Sequence, residues 1–378
     1  MEVQCKHLFF RDKVNHESIN SNKWQDIVFE RFLLPIVQKK YFYKEAKASE
    51  GDSPRMSENT ISCHNGNGDA SKFNEILRFL FYYCNARDFC ITIIINLHHR
   101  RKHLITPDEK ESLLNLPIDQ KAEKSKSVIR EAIEKFGIDK IAIAITGGKD
   151  STTNLWLFRQ ACTEMGVTLP VCMFIDEGDV FDEIKEFVDH IQKLWSLEIA
   201  YLKNEDVSSK ATGIGSVIKV SSLKESNQAA LKEMGLADPE FAFVPDSTVC
   251  NHLMKTMPMR EFILKNNIAA ISTAIRWDEQ EARKEEEYFS SRTNPEHMRI
   301  HPILHFRERD IWIAAFKYDI PYNKLYKLGY RSLGAKCATG RASDIPAWMQ
   351  DLENTPERVG RGQDKEQVME QLRALGYM

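Results

Sequence analysis

From Thr106 onward the chain sorts its apolar positions into two alternating periods. Val128, Ile129, Ala132, Ile133 and Phe136 recur at helical spacing and predict an amphipathic helix over Ile118 to Phe136, closed by Gly137, with a short helix over Asp108 to Leu116 ahead of it. The unbroken apolar run Ile141 to Ile145 then reads as a buried strand, and Leu155, Leu157 and Phe158 resume the helical pattern. Leu169 to Ile175 predicts a second strand, Phe181 to Leu194 a second helix, Leu197 to Leu202 a third strand, Cys250 to Asn266 a helix, and Ile268 to Thr273 another strand. Strand and helix alternating in this way predict an α/β fold, a doubly wound parallel sheet with helices on both faces and ligand at the carboxyl ends of the strands. The stretch 203–242 is less regular: Gly213-Ile214-Gly215 suggests a turn, and Ser222 to Met234 a surface helix.

Residues 1–104 carry a different pattern. They offer one amphipathic helix, Trp24 to Leu34, stopped by Pro35, and a polar linker-like stretch from Ala48 to Ser71. An aromatic and β-branched block follows from Ile76 to Leu97, ending in the basic run His98 to His103. Cys84, Cys90, His98, His99 and His103 match no zinc spacing, so no metal site is assigned to them. The expected organisation is an N-terminal extension over 1–104, disordered or the product of a start placed too far upstream. An α/β domain over 105–300 and a C-terminal segment over 301–378 that completes the site follow it.

Composition narrows the function classes. The 378 residues carry a net charge of −3, which gives no nucleic-acid signature. Eight cysteines are scattered without a C-x-x-C pair, as suits a reducing cytoplasm rather than a disulfide framework. Lys6, Arg11, Asp12 and Lys13 interrupt any signal-peptide core. The longest apolar candidate, Phe89 to Leu97, is about half the ~20 residues that a membrane span needs, so no membrane association is expected.

The chemistry concentrates where the first strand ends, at Thr146-Gly147-Gly148-Lys149-Asp150-Ser151. Glycines without Cβ atoms let backbone N–H groups approach an anion, Lys149 adds a mobile positive charge, and Ser151 or Asp150 sits where the following helix needs a cap. The four-residue spacer of G-x-x-x-x-G-K-[ST] is missing, so this is not a Walker A loop. It resembles the Ser-Gly-Gly-Lys-Asp-Ser PP-loop of the ATP pyrophosphatase superfamily, with Thr146 in place of the serine. The resemblance implies an adenine nucleotide alpha hydrolase-like fold, ATP as nucleotide with Mg2+, and Thr146, Gly147, Gly148 and Ser151 holding its phosphates. Asp176, at the end of the second strand, is then a ribose or magnesium contact, or the cap of the helix through Phe181.

Two later segments extend the resemblance. Ala274-Ile275-Arg276-Trp277-Asp278-Glu279-Gln280-Glu281-Ala282-Arg283 is similar to the Gly-Ala-Arg-Arg-Asp-Glu-Glu segment of the small, catalytic subunit of heterodimeric sulfate adenylyltransferase, with Trp277 replacing the second arginine. Seven helical residues turn about 700°, so if the segment is helical Arg276 and Arg283 share a face and can grip a tetrahedral oxyanion. Gly329-Tyr330-Arg331-Ser332-Leu333-Gly334 is similar to words shared by these subunits and by phosphoadenylylsulfate reductases, which makes Arg331 a candidate nucleotide contact. Thr355 to Asp364 resembles the sulfurylase ending. In His301-Pro302-Ile303-Leu304-His305, packed histidines are expected rather than acid catalysts.

The implied reaction is ATP-dependent adenylyl transfer to sulfate, giving adenylylsulfate and pyrophosphate, with Lys149, Asp150, Arg276 and Arg283 as the catalytic set. The alternatives are a phosphoadenylylsulfate or adenylylsulfate reductase releasing sulfite, another adenylating enzyme such as one acting on a flavin or, less favoured without a basic patch, on a transfer RNA, or a non-catalytic nucleotide-binding subunit. A reductase needs a thiolate, and its Glu-Cys-Gly motif has no counterpart after Cys337, while the cluster-binding Gly-Cys-x-x-Cys pair falls on Ala335 and Ala338. The resemblance also implies a GTPase large subunit as partner, beside which a homo-oligomer is an open expectation.

Overall fold

The computed structural model describes residues 105–358. The expectations placed on Trp24 to Leu34, Ala48 to Ser71, Ile76 to Leu97, the Cys84 to His103 set and the words after Arg358 lie outside the described residues.

The doubly wound α/β sheet is present. Strands β1 (Ile141–Ile145), β2 (Val171–Ile175) and β3 (Ile199–Leu202) pair in parallel, and β6 (Ala270–Ser272) lies on the other side of β1. The six-stranded order is β3-β2-β1-β6-β8-β7, where β8 (His297–Ile300) continues the parallel run and β7 (Phe289–Arg292) returns antiparallel to it as an edge strand. A separate two-stranded ribbon pairs β4 (Val217–Lys219) with β5 (Glu240–Ala242). The β7–β8 hairpin and this ribbon have no counterpart in the apolar pattern, because Arg292, His297, Arg299 and Lys219 interrupt it.

Successive strand residues face opposite sides, so Ile141, Ile143 and Ile145 meet one helical layer and Ala142 the other. On the isoleucine side lie α2 (Ile118–Phe136), α3 (Lys149–Met165) and α4 (Asp182–Trp195), whose Val128, Ile129, Leu155, Phe158, Ile184 and Val188 share one core. The short α1 (Pro107–Leu114) precedes them behind a Thr106–Glu109 capping box. The smaller α5 (Glu225–Glu233) packs with the ribbon. On the alanine side α6 (Met257–Asn266) lays Met259, Phe262 and Ile263 over Ala142, Met173 and Ile271. The expected single helix from Cys250 is divided: one α-helical turn, Thr248–Asn251, and a π-helical turn, His252–Thr256, precede α6. The last long helix, α7 (Glu308–Lys317), returns to the isoleucine side with Ile311 and Trp312.

Ile143 is fully buried on the central strand between these helices. Ile143→Ala is therefore expected to cost about 2–5 kcal/mol, read as a lowered midpoint in urea unfolding followed by circular dichroism.

Candidate functional site

The carboxyl ends of β1, β2 and β6 open into one cleft of about 330 Å³, where the sheet order turns from one side of β1 to the other. Its floor is the Thr146 to Ser151 loop. Gly147 holds φ at +71°, and a Cβ there would come within 2.8 Å of Ile184 Cγ2, so both conformation and space require glycine. The capping expectation is corrected: α3 begins at Lys149, Gly148 occupies the cap position, and neither Ser151 nor Asp150 caps it. Ser151 instead fastens the loop, accepting from the Thr146 N–H at 3.2 Å and donating to the Gly148 carbonyl at 3.0 Å. The Lys149 N–H, one of the orphan donors of the helix start, donates to Tyr326 Oη at 2.8 Å.

Lys149 is not the mobile charge expected of it. Its side chain is buried, with Nζ on the Glu357 carboxylate, 3.2 Å from the Arg331 carbonyl, 3.2 Å from Asp150 and 3.7 Å from Glu308. Arg276 is buried beside it, giving one guanidinium nitrogen to Asp150, one to Glu357, and Nε to Asp278 at 2.9 Å. Asp278 in turn accepts from the N–H of Glu308 at 2.7 Å.

The helix that would have placed Arg276 and Arg283 on one face does not form. Residues 274–280 are irregular, Gln280 is extended at φ −165°, and only a 3-10 turn, Glu281–Arg283, follows. Trp277 explains the departure: its N–H donates to Leu304, its indole donates to the Glu286 carbonyl at 2.8 Å, and its buried ring lies against Tyr288. Arg283 still reaches the cleft, paired with Glu279.

Arg331 stands behind the site. Its guanidinium grips Glu308 through Nε at 2.9 Å and Nη2 at 2.8 Å and donates to the Asp351 carbonyl, while its own carbonyl receives Lys149. Asp176 accepts from the Gly178 N–H at 2.9 Å and caps no helix, since α4 is preceded by Phe181. Its neighbour Glu177 faces the cleft and pairs with Lys255. Glu308, Tyr326 and Glu357 were assigned no role by sequence reasoning, because their partners lie up to 208 residues away.

Electrostatics bind this cluster together. Burial works against the charge of Lys149, but Glu357 and Glu308 hold its pKa above the ordinary lysine value. Burial likewise opposes ionisation of Glu357, and Arg276 and Lys149 overcome it, holding the carboxyl far below the usual glutamate range. Burial and the neighbouring Glu357 push Glu308 the other way, upward. His301 and His305 are packed as expected, bonded to Thr273 Oγ1 at 2.8 Å and to Tyr288 Oη at 2.9 Å, and burial lowers both pKa values. The Cys337 thiol is pushed up to about 12 by partial burial and the Asp179 carboxylate, so it stays protonated near neutral pH. Among the described residues no group of three or more His, Cys, Asp or Glu is placed to hold a metal ion, and no helix is long and apolar enough to cross a membrane.

A sequence model of the phosphoadenosine phosphosulfate reductase domain matches residues 140–341, a span that contains the loop, Arg276, Arg283 and Arg331 but not Glu357. An adenosine 5′-phosphosulfate reductase of Geobacillus sp. (strain WCH70) is 27% identical over 195 residues, covering 50% of this chain and 78% of that protein. A probable FAD synthase of Caenorhabditis elegans is 24% identical over 219 residues, 57% of this chain but 33% of that protein. Among solved structures, Candida glabrata FMN adenylyltransferase aligns with a TM-score of 0.47 at 17% identity, covering 68% of this chain and 94% of that one. Phosphoadenylyl-sulfate reductase from Candida auris aligns with a TM-score of 0.42 at 15% identity, covering 62% and 98%.

Removing one member of a buried ion cluster strands the rest. Lys149→Ala should destabilise the fold by about 3–5 kcal/mol, measured by urea unfolding, rather than leave stability untouched. A pH series adds a second check. Because the folded Glu357 carboxyl titrates below its unfolded range, its contribution is complete above that range and is lost as pH falls through the folded value. Glu308, shifted upward, contributes with the opposite sign. The thermal midpoint should therefore drop on acidification, and Glu357→Gln should make that slope shallower.

Proposed function

The chain belongs to the phosphoadenosine phosphosulfate reductase domain family, and with that membership as premise we propose that it transfers an adenylyl group from ATP. An acceptor oxygen attacks the α-phosphorus in line, the bond from that phosphorus to the oxygen bridging to the β-phosphorus breaks, and pyrophosphate leaves with the electron pair toward the Gly147 to Ser151 loop. The protein's part is alignment and neutralisation of the charge that develops on the leaving group. Lys149 and Arg276, two buried cations converging at the loop, suit that task, with Asp150 orienting Arg276.

The observation that carries this reading over thiol chemistry is the state of the sulfur atoms. Cys337 is held protonated, and the other described cysteines, Cys162, Cys172 and Cys250, are buried. Taking up a sulfo group requires a thiolate, whereas adenylyl transfer requires cations. Sulfate is the acceptor we assign, on the resemblance of the Arg276 to Arg283 segment to the sulfate adenylyltransferase small subunit, with Arg283 facing the cleft to receive it. A magnesium ion would arrive with the nucleotide phosphates, where Asp150 is the loop carboxylate that could hold it, and it would supply charge neutralisation there. A GTPase large subunit and a cytoplasmic setting belong to the same proposal, as does the absence of nucleic-acid or membrane partners.

The relatives described as adenosine 5′-phosphosulfate reductase favour a second reading, in which sulfite is released from adenylylsulfate or its 3′-phosphate with a thiol donor. The relative described as probable FAD synthase favours a flavin as the adenylyl acceptor.

One set of assays separates the three. With purified protein, exchange of pyrophosphate into ATP should depend on sulfate, and Arg283→Ala should raise the half-saturating sulfate concentration by about tenfold or more, the loss of one charged hydrogen bond. Exchange that responds to a flavin phosphate and not to sulfate would transfer the acceptor role to the flavin. Sulfite release from adenylylsulfate with a thiol, abolished by Cys337→Ser, would replace adenylyl transfer with reduction.

A further inference from the structure

The cations at the loop carry a counter-ion of their own. Lys149 and Arg276 are 3% and 0% exposed, and neither could be buried without an answering negative charge. Four carboxylates stand near them, and three have other anchors. Asp150 is fixed in the first turn of α3, Asp278 also accepts from the N–H of Glu308, and Glu308 is gripped by Arg331. Glu357 differs. Its Oε1 lies on Lys149 and its Oε2 on Arg276, and these two cations are the hydrogen-bond partners its carboxylate has among the described residues. One planar carboxylate thus spans both positive groups with its two oxygens, as two oxygens of a phosphoryl group would.

We propose that Glu357 is a tethered competitor for the anion site of the loop: its carboxylate keeps the place of the pyrophosphate oxygens in the empty protein and withdraws when nucleotide enters. The inference rests on the reading of the Gly147 to Ser151 loop as the pyrophosphate site. A phosphate oxygen and the Glu357 carboxylate cannot share the same two cations without like charges in contact, so one excludes the other. Glu357 lies in a run of turns, Asp351 to Arg358, in which the Asp351 carbonyl and Thr355 hydroxyl bond Arg331, Leu352 packs on the core and Glu353 pairs with Arg309. Glu357 and Arg358 both line the cleft. Occupancy by Glu357 lowers the apparent affinity for nucleotide, because only the fraction of molecules with the site vacated is competent to bind. The same return stroke helps to expel pyrophosphate after transfer.

The test is calorimetric titration of the full chain with inorganic pyrophosphate and, separately, with ATP, on wild type, Glu357→Gln and Glu357→Asp. Glutamine keeps the length and volume of the side chain but not its charge, and aspartate keeps the charge but is one methylene short of spanning both cations. Both variants should bind pyrophosphate more tightly than wild type, glutamine by fivefold or more. Thermal melting supplies a second readout. Without ligand the glutamine variant should melt below wild type, and saturating pyrophosphate should raise its midpoint by more than it raises that of wild type. A purely structural Glu357 would lower the midpoint without enlarging that gain. Equal or weaker pyrophosphate binding by Glu357→Gln, with wild type binding normally, overturns the inference and leaves the loop reading standing. If neither wild type nor either variant binds pyrophosphate or ATP, the loop reading fails and the inference with it.

Discussion

A positive charge cannot be taken out of water without a negative one to meet it, and this protein takes two out of water at the same point. Lys149 comes from the start of α3 and Arg276 from the end of β6, and Glu357 arrives from the far end of the described chain to join them. Around that junction the remaining contacts fall into rank. Arg331 holds Glu308, Asp278 holds Arg276 and the start of α7, and Tyr326 holds the N–H of Lys149. Each of these bonds keeps a charged group oriented toward the junction, so the geometry of the cleft is the geometry of one neutralised cluster.

The sheet decides where that cluster can sit. Because β2 lies on one side of β1 and β6 on the other, the segments leaving β1 and β6 part over the carboxyl ends of their strands and leave a crevice between them. The glycine loop and the Arg276 segment are the two lips of that crevice, and the segment that follows α7 closes it with Tyr326 and Glu357. Small residues on β1 matter here as well, since Ala142 and Ala144 let α6 and the cleft approach the strand from the same face.

What could be read from the sequence was what is local. The strand Ile141 to Ile145 and the helix Ile118 to Phe136 appear with the expected bounds, because period and capping are properties of neighbouring residues. The glycine loop was legible for the same reason. The burial of Lys149 was not, since its partner lies 208 residues away and no spacing rule reaches that far. The Arg276 to Arg283 segment misled because a seven-residue interval looks helical on paper, while the Trp277 bonds to Leu304 and Glu286 pull the backbone out of a helix. The π-turn His252–Thr256 was hidden inside an apolar pattern that an α-helix would share, one residue per turn being too small a difference to show in five residues. β7 and β8 were missed because polar and basic residues, Ser290 and Arg292 in one and the buried His297 and Arg299 in the other, stand where a strand's apolar face was sought.

The pairing of Lys149 with Glu357 also sets a timetable. During synthesis β1 and the glycine loop emerge early, and the cations of the loop and of the Arg276 segment follow, long before the chain has reached residue 357. Until then Lys149 has no such anion from the late chain, and the core around it is without α7 and its Trp312. A chain that grows by about 5–20 residues per second therefore spends roughly 10–40 s between making Lys149 and making Glu357, with only Asp150 and Asp278 to answer the two cations for most of that time. The site is assembled from its first and last parts, and an intermediate stalled between them would be a protein with a sheet but no finished pocket.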